Sequence, residues 1–171
     1  MIGAAKLDAA TYEEVEADRQ ATGQAALVVA LASVAGGLGT IGQGGMRSVL
    51  LATLVNLLGW VMWAAVTYVV GTRLLPGPRT QADLGELLRT IGFSSSPGVL
   101  NVAGVIPGVG RVVAVVVSLW MLAAMVVAVR QALDFDGTGR AVAVCVVGFI
   151  VYLAAAVLLL GALELTGAVR G

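Results

Sequence analysis

Charge is so sparse in this chain that its charged residues divide it into five long neutral runs, 20–46, 48–72, 90–110, 112–129 and 141–163. This spacing constrains the fold more than any motif does. A helix needs about 20 apolar residues to cross ~30 Å of hydrocarbon, and four of the runs reach or approach that length. With 59% of 171 residues apolar and 12% charged, the chain lies outside the range of soluble domains. The expected fold is all-α, a polytopic transmembrane helix bundle with short amphipathic surface helices. Its spans fall at about 24–42, 48–72, 97–110, 112–130 and 141–163, behind an acidic N-terminal segment 1–23 and ahead of a tail 166–171.

The first 23 residues carry seven charged side chains, five of them acidic, and no apolar core, so no cleavable signal peptide is expected. Thr11 and Glu14 have capping-box spacing, which predicts a short solvated helix from near Tyr12, with Tyr12 and Val15 on one face. A docking surface for a basic partner is the sharper alternative. The first apolar run ends in "GGLGTIGQGG", where Ala32/Gly36 and Ala35/Gly39 have the small-xxx-small spacing of closely packed helices.

In the second run Asn56, Gly59, Trp60, Trp63 and Thr67 share one helical face. Tryptophans usually mark the membrane interfaces, yet Trp60, Trp63 and Trp120 fall near the middle of their runs. They predict an interior seam in which indole N–H groups and Asn56 find partners, because an unpaired polar group in hydrocarbon is costly. Next, "RLLPGPRTQADLGELLRTIGF" holds two helix-stopping prolines and Thr80 as a helix cap. After it, Leu84, Leu87, Leu88 and Ile91 oppose Asp83, Glu86 and Arg89, the pattern of an amphipathic helix at the membrane surface over about 81–92.

The segment after that helix is the irregular one. Gly98–Gly110 is apolar for only about 20 Å of helix, entered through Pro97 and interrupted by Pro107. It fits either a short broken span or a re-entrant loop, and broken backbone at such depth belongs inside protein or along a cavity. Counting Lys and Arg does not separate the two. Five spans with the N-terminus inside leave only Arg47, Arg111 and Arg170 outside, and re-entry exchanges Arg111 and Arg170 for Arg130 and Arg140. The last loop, "RQALDFDGTGR", sets Asp134 and Asp136 near Arg130 and Arg140, an expected ion-pair cluster that also draws on Glu86 and Arg89.

Catalytic chemistry is not expected. There is no histidine, and Cys145, the sole cysteine, lies inside the last apolar run. No acidic pair lies within a membrane run, "GGLGTIGQGG" lacks the ending of a phosphate loop, and "SSSP" has no base beside it. No cofactor and no metal are expected. A formal net charge of zero offers no footprint for nucleic acid.

The order of features resembles the Yip1 family, particularly its compact bacterial members. The matching text is "LDAATYEEVEAD", "DLGELLRTIGFSSSPGVL", "IPGVGRVVAVVVSLWMLAAMVVAVRQALDF" and "TGRAV", from about Leu7 onward. The resemblance implies five membrane helices, a cytoplasmic N-terminus and, for a bacterial member, the inner membrane. Eukaryotic members are associated with vesicle traffic and Rab-type GTPases, but the chain lacks their long cytoplasmic N-terminal region, so GTPase binding is not carried over.

The first functional expectation is a non-enzymatic scaffold or assembly factor in the bilayer, contacting itself or other membrane proteins. The second is lipid or small-solute handling in a cavity beside Asn56, Asn101 and Arg111, and the third is an accessory role in a larger complex. The residues expected to matter for structure or interaction are Asn56, Trp60, Trp63, Glu86, Arg89, Pro97, Asn101, Pro107, Arg111, Trp120, Arg130, Asp134 and Arg140.

Overall fold

Helices form wherever an apolar run can satisfy its own backbone, and they stop where proline, glycine or a capping side chain intervenes. The computed structural model describes residues 1–38, 41–106 and 108–165. Among these the regular elements are all helical: α1 (Ile2–Ala5), α2 (Ala9–Ala17), α3 (Ala21–Leu38), α4 (Ile41–Val69), α5 (Leu84–Ser94), α6 (Gly110–Ala132) and α7 (Thr138–Leu165). A π-helical turn, Val70–Leu74, prolongs α4, and a 3₁₀ segment, Ser96–Val105, follows α5. Gly45, at φ 65°, interrupts α4 near its start, and the Ser48 hydroxyl donates to the Gly45 carbonyl at 2.7 Å.

Four stretches are long and apolar enough to cross a membrane: Ala21–Leu38, Gly45–Leu74, Gly110–Ala132 and Thr138–Ala155. Their outward faces stay apolar, with Leu54 and Leu58 on α4, Val116 and Leu119 on α6, and Val157 and Leu158 on α7 all exposed. Apolar surface all round is the mark of a helix solvated by lipid.

Two expectations about the middle of the chain need correction. Thr80 does not cap α5: Asp83 does, in a reciprocal box. The Glu86 N–H donates to Asp83 Oδ1 at 2.9 Å, and the Asp83 N–H donates to Glu86 Oε2 at 2.8 Å. The Thr80 hydroxyl instead fastens the linker, accepting from the Gly77 N–H at 2.7 Å and donating to the Leu133 carbonyl at 3.1 Å.

Nor does α5 lie along the surface. Leu87 and every residue from Arg89 to Ser94 are buried, because α2, α3, α4 and α6 enclose the helix. Its eleven residues and the ten of the 3₁₀ segment make one nearly continuous path of about 36 Å. Burial along this path begins at Leu87, ahead of Pro97, which is itself buried near the N-terminus of the 3₁₀ segment. Pro107 lies outside the described residues.

Close backbone approach makes that enclosure possible. A Cβ at Gly92 would stand 2.7 Å from the Ala25 Cβ, and one at Gly98 would stand 2.8 Å from the Ala32 Cβ. Small residues two turns apart on α3 thus receive small residues of the α5 path. Ala32 has the packing role expected of it. Gly36 does not, since a Cβ there meets nothing within 4 Å, and Gly39 lies outside the described residues.

The N-terminal segment also differs from a solvated lead-in helix. Its cap is Asp8, with the Thr11 hydroxyl donating to Asp8 Oδ2 at 2.7 Å. Tyr12 and Val15 do share a face, but that face is buried against Ala25, Phe93 and Ala128.

Candidate intramembrane cleft

On the side of the α5 path away from α2, the four long helices do not close completely. They leave a cleft of about 1090 Å³ between α3, α4, α6 and α7, floored by Ile91, Ser95, Gly98 and Asn101. Each wall follows from a local property of its helix. From α3 come Val29, Ala32, Ser33 and Gly36, whose small side chains leave space. From α4 comes the face Asn56, Gly59, Trp60 and Trp63, from α6 Met121 and Met125, and from α7 Cys145, Phe149 and Tyr152.

Both α4 tryptophans are pinned by their N–H groups. The Trp60 Nε1–H donates to the Leu88 carbonyl at 3.0 Å, and the Trp63 Nε1–H donates to Met125 Sδ at 3.3 Å. The Trp63 ring also meets Tyr152 edge-on, with centroids 5.7 Å apart and planes at 71°. Flexible thioethers and rigid indoles together make a wall that is greasy and adaptable on one side, fixed on the other.

The two carboxamides are different. Asn56 and Asn101 line the cleft but make no hydrogen bond to another described residue. The Ser33 hydroxyl turns back to the Val29 carbonyl at 2.8 Å, so it offers little to an occupant. Chemically, the cleft is an apolar chamber with two amide groups. Among the described residues no group of three or more His, Cys, Asp or Glu is placed to hold a metal.

The sequence profile of the Yip1 domain matches residues 8–159. The chain belongs to the Yip1 domain family. Neither the curated proteins nor the solved structures contain a significant match.

In this Yip1 domain the expected site residues divide into separate groups. Asn56, Trp60, Trp63 and Asn101 come together in the cleft. Trp120 faces elsewhere, its Nε1–H donating to the Ala5 carbonyl at 2.7 Å. Arg111 is exposed at the start of α6 and does not line the cleft.

The expected ion-pair cluster takes another form, because backbone carbonyls at helix ends compete for the guanidinium groups. The Arg130 Nε–H and Nη2–H donate to the carbonyls of Phe135 and Asp136, both at 3.3 Å. Arg140 stands over the Phe135 ring, 5.7 Å from its centroid. Asp136 pairs with Arg79, which sequence reasoning passed over. Glu86 serves the α5 cap, and Asp134 adopts the left-handed conformation at φ 51°.

Arg89 is buried beneath α2. Its Nε–H donates to the carbonyls of Val15 and Glu16 at 3.2 and 3.1 Å, and its Nη2–H also donates to Glu16. Sequence reasoning missed Met121, Met125, Phe149 and Tyr152. They sit in runs so uniformly apolar that no periodicity singles out an inward face.

Proposed function

We propose that this Yip1 domain is a non-enzymatic integral membrane protein that holds a hydrocarbon chain of a membrane lipid in its cleft. The observation that carries the reading is the cleft itself: an apolar chamber open between lipid-facing helices, with two carboxamides that have no hydrogen-bond partner among the described residues. Along α4 it runs from Ala52 to Trp63, about 16 Å, which is close to half of a ~30 Å hydrocarbon layer. A chain from one leaflet fits that height, and the amides offer hydrogen bonds to an ester or other polar group near its end.

The scaffold reading comes second. The features that suggested it, small-residue faces and mid-helix tryptophans, make contacts within the chain: Ala25 and Ala32 with Gly92 and Gly98, Trp60 with Leu88, and Trp63 with Met125. The α5 path, at about 36 Å, is long enough to serve as a fifth crossing. On that reading of five crossings, the Lys and Arg distribution favours a cytoplasmic N-terminus, in a bacterial inner membrane for a compact member of the family.

The test uses the tryptophans as reporters. In nanodiscs containing phosphatidylcholine brominated along its acyl chains, a Trp120→Phe protein retains only Trp60 and Trp63, both lining the cleft. Their fluorescence is expected to be quenched. Gly36→Leu adds a side chain into open cleft space, since no atom lies within 4 Å of its Cβ, and should reduce the quenching at least twofold. Equal quenching with and without that substitution overturns the reading.

A further inference from the structure

The N-terminal hairpin α1–α2 is fastened to the bundle by polar contacts, and acidic groups crowd one edge of that attachment. Three residues of the bundle hold it. Arg89 on α5 bonds the carbonyls at the end of α2, and Gln131 Nε2–H on α6 donates to Glu13 Oε1 at 2.8 Å. The Trp120 indole donates to the Ala5 carbonyl, and the Tyr12 hydroxyl closes the hairpin on the Ala4 carbonyl at 3.1 Å.

Beside these contacts a hollow of about 790 Å³ lies between α2, the start of α5 and the end of α6. Five of its lining side chains are carboxylates: Glu13 and Glu16 on α2, Glu86 on α5, and Asp134 and Asp136 after α6. Two guanidinium groups also line it, but both are engaged, Arg130 with carbonyls and Arg79 with Asp136. Arg89 is the remaining cation facing Glu16, and it bonds the main chain rather than the carboxylate.

We propose that α1–α2 is a proton-controlled latch, held on α5 and α6 while Glu16 is protonated and loosened when Glu16 ionises. Its ionised carboxylate would sit partly buried among Glu86, Asp134 and Glu13, and undocking returns it to water. Burial first, then those three carboxylates, push the Glu16 carboxyl up to about 7 from 4.5, against the opposing charge of Arg89.

The sign follows from linkage. The docked hairpin binds this proton up to about pH 7, and the free hairpin binds it only to about 4.5. Docking is therefore fully favoured below the lower value and weakens as pH rises through the higher one. The latch also bears on the cleft, because α5 presents Arg89 and Phe93 to α2 while Ile91 and Ser95 form part of the cleft floor.

Hydrogen–deuterium exchange on the full chain in nanodiscs tests this, at pH 5.5 and 8.5 with correction for intrinsic rates. Protection over Ala9–Ala17 should fall on the order of tenfold at the higher pH, less than the shift allows because the group is partly solvated. Peptides from α6 and α7 should not change. In Glu16→Gln, which keeps the shape and removes the charge, protection should stay high at both pH values. Equal protection at both pH values in the unsubstituted protein overturns the proposal. So does a fall that persists in Glu16→Gln, or one that spreads to α6 and α7 and so reports global unfolding.

Discussion

Gly92→Ala asks whether the close seating of the α5 path on α3 is required. Gly92 lies inside α5, where alanine is intrinsically better by about 1 kcal/mol. Its added Cβ would stand 2.7 Å from the Ala25 Cβ and 3.2 Å from both the Cα and the carbonyl oxygen of Ala25. Two of those three atoms are backbone, so relief requires the helices to separate rather than a side chain to turn. Overpacking of this kind costs ~1–3 kcal/mol, which exceeds the gain in propensity. The net expectation is a loss of about 1 kcal/mol. Gly23 on α3 supplies the control, since a Cβ there meets nothing within 4 Å, and Gly23→Ala should gain up to ~1 kcal/mol. The two variants should therefore differ by roughly 2 kcal/mol, or about 4–8 °C in Tm for a chain of this size. Reversible unfolding in mixed micelles with rising SDS, followed by far-ultraviolet circular dichroism, measures the difference. If Gly92→Ala is as stable as Gly23→Ala, the backbones do not meet as described and the enclosed position of α5 is wrong.

Thr67 is fully buried and its hydroxyl has no hydrogen-bond partner among the described residues. Thr67→Val keeps the shape and removes an unpaired polar group, so the same unfolding assay should show a gain of about 1 kcal/mol. A loss would mean that the hydroxyl has a partner. Arg89→Met should free the end of α2 and cost ~3 kcal/mol of hairpin docking, seen as lost exchange protection over Ala9–Ala17. Arg89→Lys should lose less, since it keeps the charge but not the fork that reaches two carbonyls. Equal effects of the two substitutions would argue against a bidentate role.

Much of the membrane architecture was legible in the linear chain. Charge-free runs must become helices in hydrocarbon, and the four long helices lie close to where the runs place them. The spacing of Asn56, Trp60 and Trp63 put them on one inward face, and they do line one cleft. Local chemistry misled in two places. Thr80 and Asp83 both look like caps before α5, and only the tertiary bond from Thr80 to Leu133 decides between them. The alternation of Leu84, Leu87, Leu88 and Ile91 with Asp83, Glu86 and Arg89 reads as a surface helix, because a charge in a sequence looks solvated.

What the chain determined alone is its solvent: sparse charge and long apolar runs commit it to lipid and to helices. What only tertiary structure decided is which polar groups go inside and what meets them. Arg89 is buried because carbonyls at the end of α2, 73 residues away in sequence, accept its protons. The cleft exists because Gly36 faces open space while Gly92 and Gly98 are pressed against α3. Glycine spacing is equally permissive of contact and of emptiness, and only the position of the partner helix distinguishes them.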